Sequence, residues 1–217
     1  MMPNLLAFPI ACLGILRAGA VQVNVNPLYT PRELEHQLAD AGATVIVIFD
    51  GATPTLAEGI AKTPVKHVVT TGLGDGSGAK LPGPAVDARL AGTVKLVDAL
   101  AEGAGLAREP VDIVGSDPAF LQYTGGTTGL SKGACLSHRN LVANTMQFRA
   151  VIGQALGDGD DVVVTALPLY HIFALMVCLV AYGSAGAESW LVANPRDLDG
   201  LADLMKEARP TAFAGVN

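Results

Sequence analysis

Short apolar runs rich in β-branched residues alternate with capped helical stretches along most of this chain, and that alternation is what most constrains its fold. The spacing predicts strands at Ala20–Val25, Thr44–Phe49, Lys66–Thr70, Ala119–Thr124, Ala134–Leu136, Asp161–Leu167, Ser189–Val192 and Thr211–Ala214. It predicts helices at Leu5–Ala18, Pro31–Ala41, Pro54–Ala61, Leu96–Ala104, His138–Val151, Ile172–Tyr182 and Asp197–Ala208. Thr30-Pro31-Arg32-Glu33 is a capping box with proline at the first helical position, and Gly42 is placed to end that helix. Ser137 is a candidate N-cap for the helix that follows it. A continuous β-branched run such as Thr44–Phe49 suits a strand covered on both faces. The expected fold is α/β, with largely parallel β-sheet layers flanked by helices.

Composition narrows the function. Half of the 217 residues are apolar and 16% are charged, enough to bury a substantial core and too few charges for a disordered chain. The formal net charge of −6 argues against a nucleic-acid partner. An anionic ligand would instead need local charge and dipoles. No acidic residue occurs from Pro118 to Gly157, although Met1–Arg32 is also free of them. Cys12, Cys135 and Cys178 are widely spaced, form no Cys-x-x-Cys pair and read as buried free thiols. Met1–Leu16 is uncharged but lacks the basic start of a signal peptide. Val162–Ala187 is uncharged too, yet Pro168, Tyr170 and His171 interrupt it, so a strand, a turn and a buried helix account for it better than a membrane span. The glycine- and proline-rich stretch 72–84 reads as a flexible surface loop.

Chemistry concentrates in Tyr123-Thr-Gly-Gly-Thr-Thr-Gly-Leu-Ser-Lys-Gly133. Glycines let backbone N–H groups approach a ligand closely, and several such groups turned to one side form an anion nest. Threonine hydroxyls add donors, and Lys132 adds a mobile point charge suited to phosphate. The segment is not a Walker A loop. Counting from Gly126, the sixth position is Ser131, glycine follows the lysine, and a strand rather than a helix comes next. A plain hairpin turn would need only glycine or asparagine. Gly129-Leu-Ser-Lys-Gly133 has the letters Gly-x-Ser-x-Gly, but a strand rather than a helix follows it, so it does not read as the strand–turn–helix elbow of a serine hydrolase. His171 lies in an apolar setting, where a histidine on its own reads more readily as a core residue than as a catalyst. Phe173, Leu175, Met176 and Leu179 suit core packing, with the lining of an acyl tunnel as the alternative. His36, His67 and His138 have no matched metal or triad partners and read as surface or capping residues.

Tyr123–Gly133 resembles the signature of the adenylate-forming (AMP-binding) superfamily, and Leu167-Pro-Leu-Tyr-His-Ile-Phe173 resembles a second signature of that family. Asn24-Val-Asn-Pro-Leu-Tyr-Thr30 and Leu136-Ser-His-Arg-Asn140 are similar to the fatty acyl-CoA synthetase branch, and the likeness covers essentially the whole chain. Ser131 departs from the pattern, since many members have proline there. The resemblance implies a two-step ligase. A carboxylate attacks the α-phosphate of Mg-ATP to give an acyl-adenylate and pyrophosphate, and a thiol, usually CoA, then displaces AMP. It implies that Tyr123, Thr124, Gly125, Gly126, Thr127, Thr128, Gly129 and Lys132 bind the nucleotide, and that Thr124 touches magnesium. It gives Lys132 and His171 catalytic roles, His171 beside the acyl carboxylate and phosphates. ATP, a medium- or long-chain fatty acid and CoA are the implied partners. The implied setting is the cytoplasm, with a lipidic substrate bringing the enzyme to the inner membrane face. Aryl or short-chain acids, and a nucleotide-binding fragment without catalysis, stay open as alternatives. Residues 1–217 read as part of a larger N-terminal domain, because the Gly-x-Thr-Glu-type motif, the ribose-binding aspartate and the C-terminal domain with its lysine do not occur in them. This stretch alone is therefore expected to support little adenylation.

Overall fold

The computed structural model describes residues 1–124, 131–153, 157 and 159–216. The chain divides into two compact units. The first comprises Met1–Met2, Leu6–Ile113 and Pro118–Cys135, and the second Pro3–Leu5, Val114–Asp117 and the chain from Leu136 onward.

In the first unit the elements run α1 (Ala7–Arg17), β1 (Gln22–Asn24), α2 (Pro31–Asp40), β2 (Val45–Phe49), α3 (Thr53–Gly59), β3 (His67–Thr71), β4 (Val94–Lys95), α4 (Leu96–Gly103), β5 (Pro118–Thr124) and the start of β6 (Lys132–Ser137). Strands β2, β3 and β4 form one parallel sheet, with Ile46 opposite Val68 and Val69 opposite Val94. Strands β1, β5 and β6 form another, in which β1 and β5 run parallel with Asn24 opposite Gln122. The expected capping box is present. The Thr30 hydroxyl accepts from the Glu33 amide at 3.4 Å, and the Glu33 carboxylate accepts from the Thr30 amide at 2.8 Å. That second bond holds the Glu33 carboxyl below the ordinary carboxylate range. Leu34 and Leu38, four residues apart on α2, are each 1% exposed and pack with Val25, Ile46, Ile48 and Leu56. Gly42 ends the helix at φ +63, the left-handed conformation that glycine adopts without a Cβ penalty. The stretch 72–84 carries turns without helix or strand.

The second unit contains α5 (His138–Ile152), β7 (Val162–Thr165), α6 (Ile172–Ala174), a π-helical segment (Leu175–Ala181), α7 (Tyr182–Ser184), β8 (Glu188–Leu191), α8 (Leu198–Ala208) and β9 (Ala212–Phe213). Strand β7 lies between β8 and β9, parallel to both. Val164, Ala166, Val192 and Ala208 form the buried centre, with Trp190, Leu201 and Met205 packed against it. Asp161 is buried and fully bonded, accepting from the Thr211 hydroxyl at 2.6 Å and the Gly157 amide at 2.8 Å.

The Ser137 cap is present as expected, and two features differ from the sequence reading for physical reasons. Helix α5 is closed by a capping box whose third residue is Asn140 rather than glutamate or glutamine. Its Oδ1 accepts from the Ser137 amide at 2.9 Å. The predicted helix Ile172–Tyr182 is wound as π over Leu175–Ala181. Nearly every residue there is apolar, so hydrophobic spacing does not distinguish one helical pitch from another. Cys135 is exposed rather than buried, because the residues of β6 from Lys132 to Cys135 are all exposed, whereas Cys12 and Cys178 are buried as expected. No helix among the described residues is long and apolar enough to cross a membrane.

Candidate nucleotide-binding site

The glycine-rich segment is carried by a strand that is itself core. Within β5, Ala119 and Phe120 are 0% exposed, and Gln122 and Tyr123 are buried, while the terminal Thr124 is exposed. Position Lys132 opens β6 with its side chain in solvent. Thr124 and Lys132 are therefore exposed polar residues at the end of the central strand β5 and the start of its neighbour β6. Gly125, Gly126, Thr127, Thr128 and Gly129 lie outside the described residues.

Tyr123 is locked on two sides. Its hydroxyl donates to Asp40 Oδ2 at 2.5 Å. Its ring lies against Gly133, where an added Cβ would come within 2.9 Å of Cε2 and 3.0 Å of Cζ. Any larger residue at 133 would push the ring away. Burial, with the Asp40 bond and charge adding to it, raises the phenol pKa well above its usual value, so the hydroxyl remains a donor at all physiological pH. Ser131 is held as well, since His36 Nε2 lies 3.3 Å from its carbonyl oxygen, which can only accept. A line of amides links β5, β1 and α2. Asn24 Nδ2 donates to Gln122 Oε1 at 2.8 Å, Gln22 Nε2 to Asn24 Oδ1 at 2.6 Å, and Gln37 Nε2 to the Asn24 carbonyl at 2.8 Å.

The second motif lies in the second unit. His171 is exposed and opens α6, its Nδ1 accepting from the Phe173 amide at 3.4 Å and its own amide donating to the Pro168 carbonyl at 2.9 Å. Its side chain is thus a helix cap at the surface, and the core-residue reading is set aside. Leu175 and Met176 are buried, Leu179 is half-buried and Phe173 is exposed, so this helical segment spends two of its four singled-out residues on the core.

Asn4 gave no signal in the sequence and is the main holder of this second segment. It is 4% exposed. Its Nδ2 donates to the Thr165 and Leu167 carbonyls, each at 2.9 Å, and its Oδ1 accepts from the Leu169 amide at 2.8 Å. One buried amide thereby satisfies three backbone groups in the turn that leads to His171. His36 and Asp40 were equally silent, because their partners lie 95 and 83 residues away in the chain. Their spacing of four on one helix was the only local hint that they act on the same side.

Residues 1–217, the whole chain, match the AMP-binding enzyme family. The chain is 48% identical over its full length to a long-chain-fatty-acid–CoA ligase of Yersinia pestis, and spans 41% of that protein. Its fold is similar to that of a long-chain-fatty-acid-CoA ligase from Archaeoglobus fulgidus, with a TM-score of 0.75 and 26% identity over 98% of this chain and 38% of the other. It is also similar to ATP-bound MatB from Rhodopseudomonas palustris, with a TM-score of 0.70 and 32% identity over 95% of this chain and 37% of the other. The chain spans about two-fifths of the length of the relatives it matches. Two signature segments, a largely parallel α/β fold and a match from first residue to last place the chain in the AMP-binding enzyme family.

Proposed function

We propose that this chain forms the phosphate-binding part of an ATP-dependent acid–thiol ligase that activates a medium- or long-chain fatty acid as its adenylate and passes the acyl group to CoA. The observation that carries this reading is the mounting of Tyr123, Thr124 and Lys132. A largely buried strand ends in the exposed Thr124 hydroxyl, and the next strand opens on the exposed Lys132 ammonium, with the glycine-rich segment between them in sequence, in a chain 48% identical to a long-chain-fatty-acid–CoA ligase. Phosphoryl chemistry at ATP asks a protein mainly for positioning and for stabilisation of negative charge. Backbone amides at Gly125, Gly126 and Gly129 and hydroxyls at Thr127 and Thr128 would cradle the β- and γ-phosphates, and Lys132 would neutralise them. His171, exposed at the start of α6, is proposed to act next to the carboxylate of the acid.

Magnesium fits this arrangement through the nucleotide. No group of three or more His, Cys, Asp or Glu among the described residues could hold a metal ion. A magnesium ion would be bound mainly by phosphate oxygens, with the exposed Thr124 hydroxyl offering one protein ligand. When bound, the ion neutralises phosphate charge. The cytoplasm, with contact at the inner membrane face during uptake of a lipidic acid, is the setting this reading favours.

A panel of acids tests the substrate class. In pyrophosphate exchange by the full-length protein, fatty acids of medium or long chain are expected to outrun acetate and coumarate by at least about tenfold in kcat/KM, because several buried CH2 groups each contribute about 0.8 kcal/mol. Equal or faster exchange with an aryl or short-chain acid would move the assignment to that class. Exchange with no acid at all would leave a nucleotide-binding protein without ligase activity.

A further inference from the structure

We propose that Asp40 is a positioning residue for ATP: through the Tyr123 hydroxyl it fixes the end of β5, and with it the placing of Thr124 and Lys132. The inference deepens the proposed function and rests on it.

Helix α2 is a rigid platform. Its N-terminus is closed by the Thr30–Glu33 box, its inner face is buried through Leu34 and Leu38, and Gln37 ties it to the Asn24 carbonyl of β1. Asp40 and His36 stand one turn apart on it, so both project from one side. Asp40 takes the Tyr123 hydroxyl at 2.5 Å, and His36 meets the Ser131 carbonyl at 3.3 Å. Tyr123 directly precedes Thr124, and Ser131 directly precedes Lys132. One helix therefore holds the residue just before each of the two exposed donors. The Tyr123 ring adds a second restraint, because it lies on the Gly133 backbone immediately after Lys132.

The Tyr123–Asp40 bond is suited to this task. Tyr123 is 8% exposed, and a phenol so placed needs a partner. A carboxylate acceptor makes the bond charge-assisted and short. Without it, the phenol must either reach water or rotate. Rotation lifts the ring from Gly133 and shifts both ends of the segment. Displacements of about 1 Å at groups that orient a reacting phosphate can cost about a hundredfold in rate. Asp40 itself does not reach the nucleotide in this view, so its effect is confined to ATP handling.

Steady-state kinetics of the full-length protein test the idea. Asp40→Ala is expected to raise KM for ATP about tenfold, with KM for the acid and for CoA within twofold of the parent. Tyr123→Phe, which keeps the ring and loses only the hydroxyl, is expected to do the same. The double variant is expected to be no worse than the worse single one, because both remove one bond. Asp40→Asn retains an acceptor oxygen and is expected to recover most of the loss. A purely structural role would lower the melting temperature without singling out ATP. An unchanged KM for ATP in Asp40→Ala, an equal rise in all three KM values, or additive losses in the double variant would each overturn the inference. Should Asp40→Ala not fold, Tyr123→Phe decides alone: an ATP-specific rise supports the inference and an unchanged value ends it. Lys132→Ala is the control for the underlying function. If it lowers exchange while Asp40→Ala does not, the inference fails and the function stands. If it leaves exchange intact, both fail.

Discussion

Lys132→Ala in the full-length protein is expected to lower kcat/KM for acid-dependent pyrophosphate exchange by about 10- to 150-fold. The figure follows from the charge of one hydrogen bond, about 1.5–3 kcal/mol when a donor or acceptor is ionised, converted at about 1.4 kcal/mol per tenfold. The side chain is exposed at the head of β6, so its removal should leave folding nearly untouched, within about 0.5 kcal/mol. An unchanged melting temperature with a large kinetic loss is therefore the expected signature. Lys132→Arg is expected to be intermediate. It keeps the charge, but a planar fork replaces a compact ammonium that can follow a phosphate as it moves. Rapid-quench measurement of acyl-adenylate formation separates the chemical step from CoA transfer, and the loss should fall on the first.

Asn4→Ala is expected to be the costliest single change of a polar residue in the second unit, destabilising it by about 3 kcal/mol or more. The change removes three hydrogen bonds at once and strands the Leu169 amide and the Leu167 carbonyl, while the Thr165 carbonyl keeps its bond from the Val192 amide. Each buried group left unpaired costs about 1–3 kcal/mol. Asn4→Asp is expected to fail as well, since a carboxylate accepts from the Leu169 amide but repels the two carbonyls that Asn4 now serves. Urea unfolding followed by tryptophan fluorescence reads the effect, because Trp190 lies in this unit beside Val164 and Val192. A midpoint within about 0.3 M of the parent would contradict the role given to Asn4.

Much of this architecture was legible locally. Strand and helix positions followed from alternation, and the boundaries of α2 were set by signals of a few residues: Thr30 and Glu33 at one end, Gly42 at the other. The glycine-rich segment announced its chemistry through composition alone. What the sequence hid was of two kinds. The pitch of the helix after His171 was hidden because apolar residues surround it on every side. The side chains that hold the two motifs in place were hidden because their bonds span 83 to 165 residues. Asp40, His36 and Asn4 lie in ordinary local settings, and only the folded chain shows what they touch. Long-range parallel topology makes this unavoidable, since it brings the ends of distant strands and helices together. The partition of the strands among the described residues into three three-stranded sheets was equally out of reach, because β-branched runs specify strands but not their neighbours.

The central claim is that the segment between Thr124 and Lys132 takes the triphosphate of ATP. A crystal structure of the full-length protein soaked with ATP and magnesium tests it most directly. Phosphate oxygens are expected within hydrogen-bonding distance of the Lys132 ammonium and of backbone amides between Gly125 and Gly129, with the Asp40–Tyr123 bond intact. A triphosphate seated elsewhere, with Lys132 still facing solvent, would contradict the account.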